Sequence, residues 1–88
     1  MNMAKIQVLG TGCSKCGYLL KNAQAAASER QAGDLVEKVD DIMQVLEFNP
    51  STLPALAIDG NVVTAGTIPS PTEIKQLIEQ SQTMESQS

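Results

Sequence analysis

The side chains with the greatest chemical reach in this chain are two cysteines within one turn, in Cys13-Ser14-Lys15-Cys16. A pair at this spacing suits two chemistries. Thiol–disulfide exchange needs an exposed thiolate and a second thiol close enough to displace the mixed disulfide. Soft-metal binding needs two thiolates that take Cu(I), or that supply half of a zinc or iron–sulfur site completed by another chain. As a structural staple the pair is poorly placed. In the chain-entropy model a disulfide closing about four residues contributes roughly 2 kcal/mol, against about 3 for a loop of about fifteen. The chain has no histidine, which removes Ser-His-Asp and Cys-His nucleophile systems, imidazole ligands and imidazole acid–base catalysis together. Ten acids against six bases give a net charge of −4, and the aromatic residues are Tyr18 and Phe48 alone. Acidic charge without a stacking platform points away from nucleic acid.

The two thiols differ in setting. A free cysteine with a pKa of about 8.5 is only about 3% thiolate at pH 7, and lowering that value to about 7 makes it half thiolate. A helix N-terminus does this through unpaired N–H donors and a partial positive charge. Cys13 follows Gly10-Thr11-Gly12 at the expected start of a helix, and Lys15 adds a cation. Cys16 falls one turn later, in line with an apolar stripe of Leu19, Leu20, Ala23, Ala26 and Ala27. Cys13 is therefore expected to attack and Cys16 to resolve. The competing reading, two inert core cysteines, fits Cys13 poorly because its turn interrupts the apolar pattern.

The surrounding elements follow from periodicity. At 88 residues and 9.3 kDa the chain makes one domain, with apolar residues at 42% sufficient for one core. No run reaches the roughly 18–20 apolar residues of a membrane span, and the N-terminus lacks a signal-peptide pattern, so a cytoplasmic protein is expected. Lys5–Leu9 alternates as a strand. Cys13–Arg30 reads as an amphipathic helix ended near Gly33, and Leu35–Val39 as a short strand. Asp40 or Asp41 caps a short helix with Ile42, Val45 and Leu46 on one face, which stops before Pro50. Ala55–Ile58 reads as a central strand, Asp59-Gly60-Asn61 as a hairpin turn and Val62–Ala65 as the returning strand. Ser70-Pro71-Thr72-Glu73 is a capping box opening a helix with Ile74, Leu77 and Ile78 buried. The expected domain spans residues 1–80, with 81–88 a polar, disordered tail. The order β-α-β-α-β-β-α implies an α/β fold, a mixed four-stranded sheet with helices on both faces.

A second element, Thr52-Leu53-Pro54, lies directly before the central strand. Proline belongs at a strand start or a deliberate turn. A cis Leu53–Pro54 bond would turn the Leu53 backbone outward, where an extended substrate can pair with it, but most X–Pro bonds are trans. The residues alone leave the isomer open.

Taken together, Gly12-Cys13-Ser14-Lys15-Cys16, Leu53-Pro54-Ala55-Leu56, Asp59-Gly60 and Gly66-Thr67-Ile68-Pro69-Ser70 resemble the thioredoxin superfamily, in particular its compact single-domain, redox-active disulfide members. The likeness runs from Lys5 to about Glu79. It implies a thioredoxin-like fold and a cis Pro54 packed against the Cys13–Cys16 pair. It also implies dithiol–disulfide exchange with protein substrates, with Thr52, Leu53, Pro54 and Gly66 as the substrate-binding residues. In that family Gly66 would keep the surface beside the disulfide open to the incoming chain. The implied partners are a protein disulfide substrate and an unidentified thiol reductase. No cofactor, membrane or nucleic acid is called for, and the protein is expected to be a monomer. The sequence departs from ordinary thioredoxins in having no Trp before Cys13 and no Pro before Cys16. Their buried acid has no counterpart here unless Glu37 or Asp40 supplies it.

Two rivals use the same cysteines. Thr11-Gly12-Cys13-Ser14-Lys15-Cys16 also resembles the loop of small copper chaperones, which would make the protein a Cu(I) or zinc carrier. Those proteins, however, run β-α-β-β-α-β and end in a strand. The other rival is a redox-sensing interaction module whose pair switches between dithiol and disulfide to alter a partner's affinity.

Overall fold

In a computed structural model, residues 3–10 and 14–87 are described, with the backbone alone for 14–16 and 82–87. The elements are β1 (Lys5–Leu9), α1 (Ser14–Arg30), β2 (Leu35–Val39), α2 (Ile42–Phe48), β3 (Ala55–Ile58), β4 (Asn61–Ala65) and α3 (Pro71–Gln87). The sheet order is β2-β1-β3-β4. Strand β1 runs parallel to β2 and antiparallel to β3, and β4 returns antiparallel to β3. The helix between β2 and β3 and the closing helix α3 set this fold apart from the β-α-β-β-α-β order of the copper chaperones.

Residue alternation explains the two cores. Ile6 and Val8 of β1, with Leu56 and Ile58 of β3, face Leu19, Ala23 and Ala26 of α1 and Ile74 and Ile78 of α3. Each fully buried Ile or Leu there contributes roughly 1.5–3 kcal/mol. The other parity, Leu9, Ala55 and Ala57, packs with Val39 under Val45 and Phe48 of α2. Strand β3 is buried on both faces, which explains its unbroken apolar run. Seven-residue α2 is only about 10 Å long, so it covers half of its face. Beyond it the sheet turns polar, and Glu37 accepts from Gln7 and pairs with Lys5.

The turns and caps are built from their local residues. Asp59 and Gly60 both have positive φ, as a two-residue type I′ hairpin requires. Ser70 Oγ accepts the Glu73 N–H while Glu73 Oε1 accepts the Ser70 N–H, a complete capping box. Asp41 caps α2 by accepting the Met43 N–H at 2.9 Å. At the C-terminus of α1, Arg30 pairs with Asp34, their side chains 3% and 0% exposed. Asp34 Oδ1 also accepts the Ala4 N–H at 2.8 Å. This buried pair ties the end of α1 and the entry to β2 to the start of β1.

Three local details go beyond what the spacing specifies. The first left-handed residue after α1 is Gln31, at φ 54, ahead of Gly33. On α2 only Val45 is buried, and Ile42 and Leu46 are exposed with Met43. Spacing groups Ile42 and Leu46 with Val45, but a two-turn helix on this sheet face buries Val45 alone of the three. Finally, α3 continues to Gln87 where the apolar pattern ends near Glu79. No Gly or Pro follows Pro71, and Gln, Met and Glu are good helix formers.

Candidate functional site

The site can be assembled from the carboxyl end of β1. Leu9 pairs with Ala55, the residue after Pro54, and the Gly10 N–H donates to the Val39 carbonyl at 3.1 Å. The chain thus leaves the sheet for the cysteine motif beside the start of β3. Cys13 lies outside the described residues. Helix α1 opens at Ser14, the next residue in sequence, and Cys16 is the third residue of the helix backbone. The packing of Pro54 against the cysteine pair likewise lies outside what is described.

What is described around that end is well defined. The Leu53–Pro54 peptide bond is cis, the isomer that the residues alone left open. Pro54 is buried, while Thr52 and Leu53 are exposed. The Pro54 carbonyl accepts the Gly66 N–H at 2.8 Å, which brings two of the substrate-binding candidates together beside Thr52. Gly66 has φ +79, and a Cβ added there would stand 2.6 Å from Thr52 Cγ2. Two independent demands therefore call for glycine: a left-handed backbone, and room for the Thr52 methyl. Within this molecule the neighbour nearest that bare position is Thr52. Nothing in the spacing of Thr52 and Gly66 reveals the contact, because it depends on the β3–β4 register.

Leu53 and Ile68 add exposed apolar side chains on the two loops at this end, and Tyr18 is exposed on the first turns of α1. The Asn22 side chain donates to the Pro69 carbonyl at 3.1 Å, pinning the loop after Gly66 to α1. Sequence reasoning missed this tie, and a lone Asn on a helix gives no signal for it. Glu37 and Asp40 are both exposed, so neither supplies a buried acid. Among the described residues no cluster of three or more acidic, cysteine or histidine side chains is arranged to hold a metal.

A family model described as a thioredoxin domain matches residues 4–79. The chain belongs to the thioredoxin family. It is 41% identical over 76 residues to a thioredoxin of Methanothermobacter thermautotrophicus, covering 86% of this chain and 99% of that one. It is 36% identical over 74 residues to a thioredoxin of Methanocaldococcus jannaschii, covering 84% and 85%. In structure it is similar to thioredoxin-2 of the malaria parasite, with a TM-score of 0.68 at 15% identity, covering 90% of this chain and 84% of that one. A mutant thioredoxin from Halobacterium salinarum gives 0.61 at 20% identity, covering 90% and 74%. These structural likenesses bear on the fold, and the two archaeal sequences support a thioredoxin-type redox protein. Among the described residues no helix is long and apolar enough to cross a membrane.

Proposed function

We propose that this thioredoxin-family protein is a thiol–disulfide oxidoreductase in which Cys13 is the nucleophile and Cys16 the resolving thiol. The observation that best supports this reading is the convergence of Gly10, Pro54 and Gly66 at the sheet end from which the cysteine motif departs. In the proposed cycle the Cys13 thiolate attacks one sulfur of a substrate disulfide, forming a mixed disulfide and releasing the other substrate sulfur as a thiolate. The Cys16 thiolate then attacks Cys13 Sγ. The second substrate thiolate leaves, and the Cys13–Cys16 disulfide forms. Two electrons pass to the substrate, and a separate thiol reductase returns them.

Thr52, Leu53, Pro54 and Gly66 form the substrate shelf. The substrate is an extended polypeptide, which pairs with the Leu53 backbone while exposed Leu53 and Ile68 receive apolar side chains beside its cysteine. The reading needs no cofactor, and the protein acts as a monomer in the cytoplasm, where thiols are kept reduced.

The test is disulfide reduction of a protein substrate, combined with pH-dependent alkylation of each cysteine resolved by peptide mass. The expected results are a Cys13 alkylation midpoint near pH ~7, loss of turnover in Cys13→Ser, and a trapped covalent mixed disulfide in Cys16→Ser. Full turnover by Cys13→Ser would overturn the assignment.

A further inference from the structure

Helix α2 carries an apolar face that the domain leaves uncovered. Ile42 is 52% exposed, Met43 69% and Leu46 61%, whereas the opposite face holds buried Val45 and half-buried Phe48. Met43 and Leu46 are three apart and Ile42 and Leu46 four apart, so their side chains are neighbours on one side of the helix. Exposed Asp40 and Asp41 precede this face, and exposed Glu47 stands four residues after Met43. The charge pattern is segregated along the chain. No Lys or Arg occurs between Lys38 and Lys75, while five acids do: Asp40, Asp41, Glu47, Asp59 and Glu73. Lys5 and Lys38 line a cleft together with Gln44 and Glu47, and Lys5 is paired with Glu37.

We infer that the Ile42–Met43–Leu46 face is a docking surface for a basic partner protein, one that presents apolar side chains set among Lys or Arg. Charge decides the occupant. A second copy meeting this face about a twofold axis would set Asp40, Asp41 and Glu47 against their own counterparts, which is repulsive. Anionic lipid and nucleic acid are repelled for the same reason. A basic, apolar polypeptide gains on both counts: its anchors cover the three side chains, and its cations meet the acidic rim. The surface starts next to Val39, whose carbonyl holds Gly10. A partner seated on α2 would therefore sit beside the sheet end that carries the cysteine motif. The inference concerns binding and stands independently of the exchange reaction.

The experiment titrates the ¹⁵N-labelled full chain with a synthetic amphipathic peptide of Leu and Lys at helical spacing, and with a matched Leu–Glu peptide. The Lys peptide should shift the amides of Asp40–Glu47 and weaken as salt screens the rim. The combined Met43→Ser and Leu46→Ser variant should bind about tenfold more weakly. Asp40→Asn with Asp41→Asn, which keeps a competent helix cap, should remove most of the salt dependence. These sites are exposed, so the variants should retain the wild-type spectrum elsewhere and unchanged reduction of a small aromatic disulfide. Equal binding of the two peptides, shifts confined to another surface, or α2-dependent dimerisation in sedimentation would each overturn the proposal.

Discussion

Replacing Gly66 by Ala tests whether the loop beside Pro54 is held by the contact that the geometry describes. Two costs add. An alanine at φ +79 sits in left-handed backbone, which costs roughly 1–2 kcal/mol. The backbone cannot readily swing away, because its N–H is bound to the Pro54 carbonyl at 2.8 Å. The new Cβ would also stand 2.6 Å from Thr52 Cγ2, about 1 Å inside ordinary contact between carbons. Thr52 is exposed and can yield by leaving its rotamer, at roughly 0.5–1.5 kcal/mol. Gly66→Ala should therefore lose about 1.5–3.5 kcal/mol in urea denaturation, summing these two costs. Thr52→Ser removes Cγ2 and leaves Cβ and Oγ1, both 3.8 Å from the added atom. Alone it should stay within about 0.5 kcal/mol of wild type. Combined with Gly66→Ala it should relieve the overlap cost and leave the backbone cost, a coupling of about 0.5–1.5 kcal/mol. A Gly66→Ala protein as stable as wild type, or a double variant with no coupling, would refute the reasoning.

Two further outcomes concern stability away from that loop. Arg30→Met leaves the buried Asp34 carboxylate without its cation and should cost about 3–5 kcal/mol, measured by the same denaturation. Adding Asp34→Asn, which still offers an oxygen to the Ala4 N–H, should recover part of that loss. Truncation after Ser81 should change stability by less than about 0.5 kcal/mol, because the last fully buried residue described on α3 is Ile78. A substantial loss of thermal stability on truncation would show that the end of the helix contributes to packing.

The parts of the fold legible in the sequence were those in which the local pattern and the tertiary need coincide. Ser70-Pro71-Thr72-Glu73 specifies its capping box from within four residues, and Asp59-Gly60 its turn. Ala55–Ile58 is apolar at every position because both faces of β3 are covered. Helix α2 was legible only in part, because spacing shows which residues share a face but not whether anything lies opposite. Val45 and Leu46 have equal apolar character, and only the half-covered sheet decides between them. The thiol pair was visible as a motif and Pro54 as an oddity before a central strand. The Thr52–Gly66 contact was not visible, since it joins residues brought together by strand register alone.

The two ends of the sheet are held by different means. The buried Arg30–Asp34 pair and its tie to Ala4 sit at the amino end of β1, whereas Gly10, Pro54 and Gly66 gather at the carboxyl end. Five residues of strand at roughly 3.3 Å each separate the two. An ionic group at the first end can be fully desolvated because nothing there has to open to a partner. At the other end the requirement is reversed. Pro54 is buried, yet Thr52 and Leu53 just before it remain exposed, and glycine at 66 gives Thr52 a seat without adding bulk. Three hydrogen bonds brace this end: the Gly10 N–H to the Val39 carbonyl, the Gly66 N–H to the Pro54 carbonyl, and the Asn22 side chain to the Pro69 carbonyl. They hold the loop end from the sheet and from α1 while leaving the outward surface open.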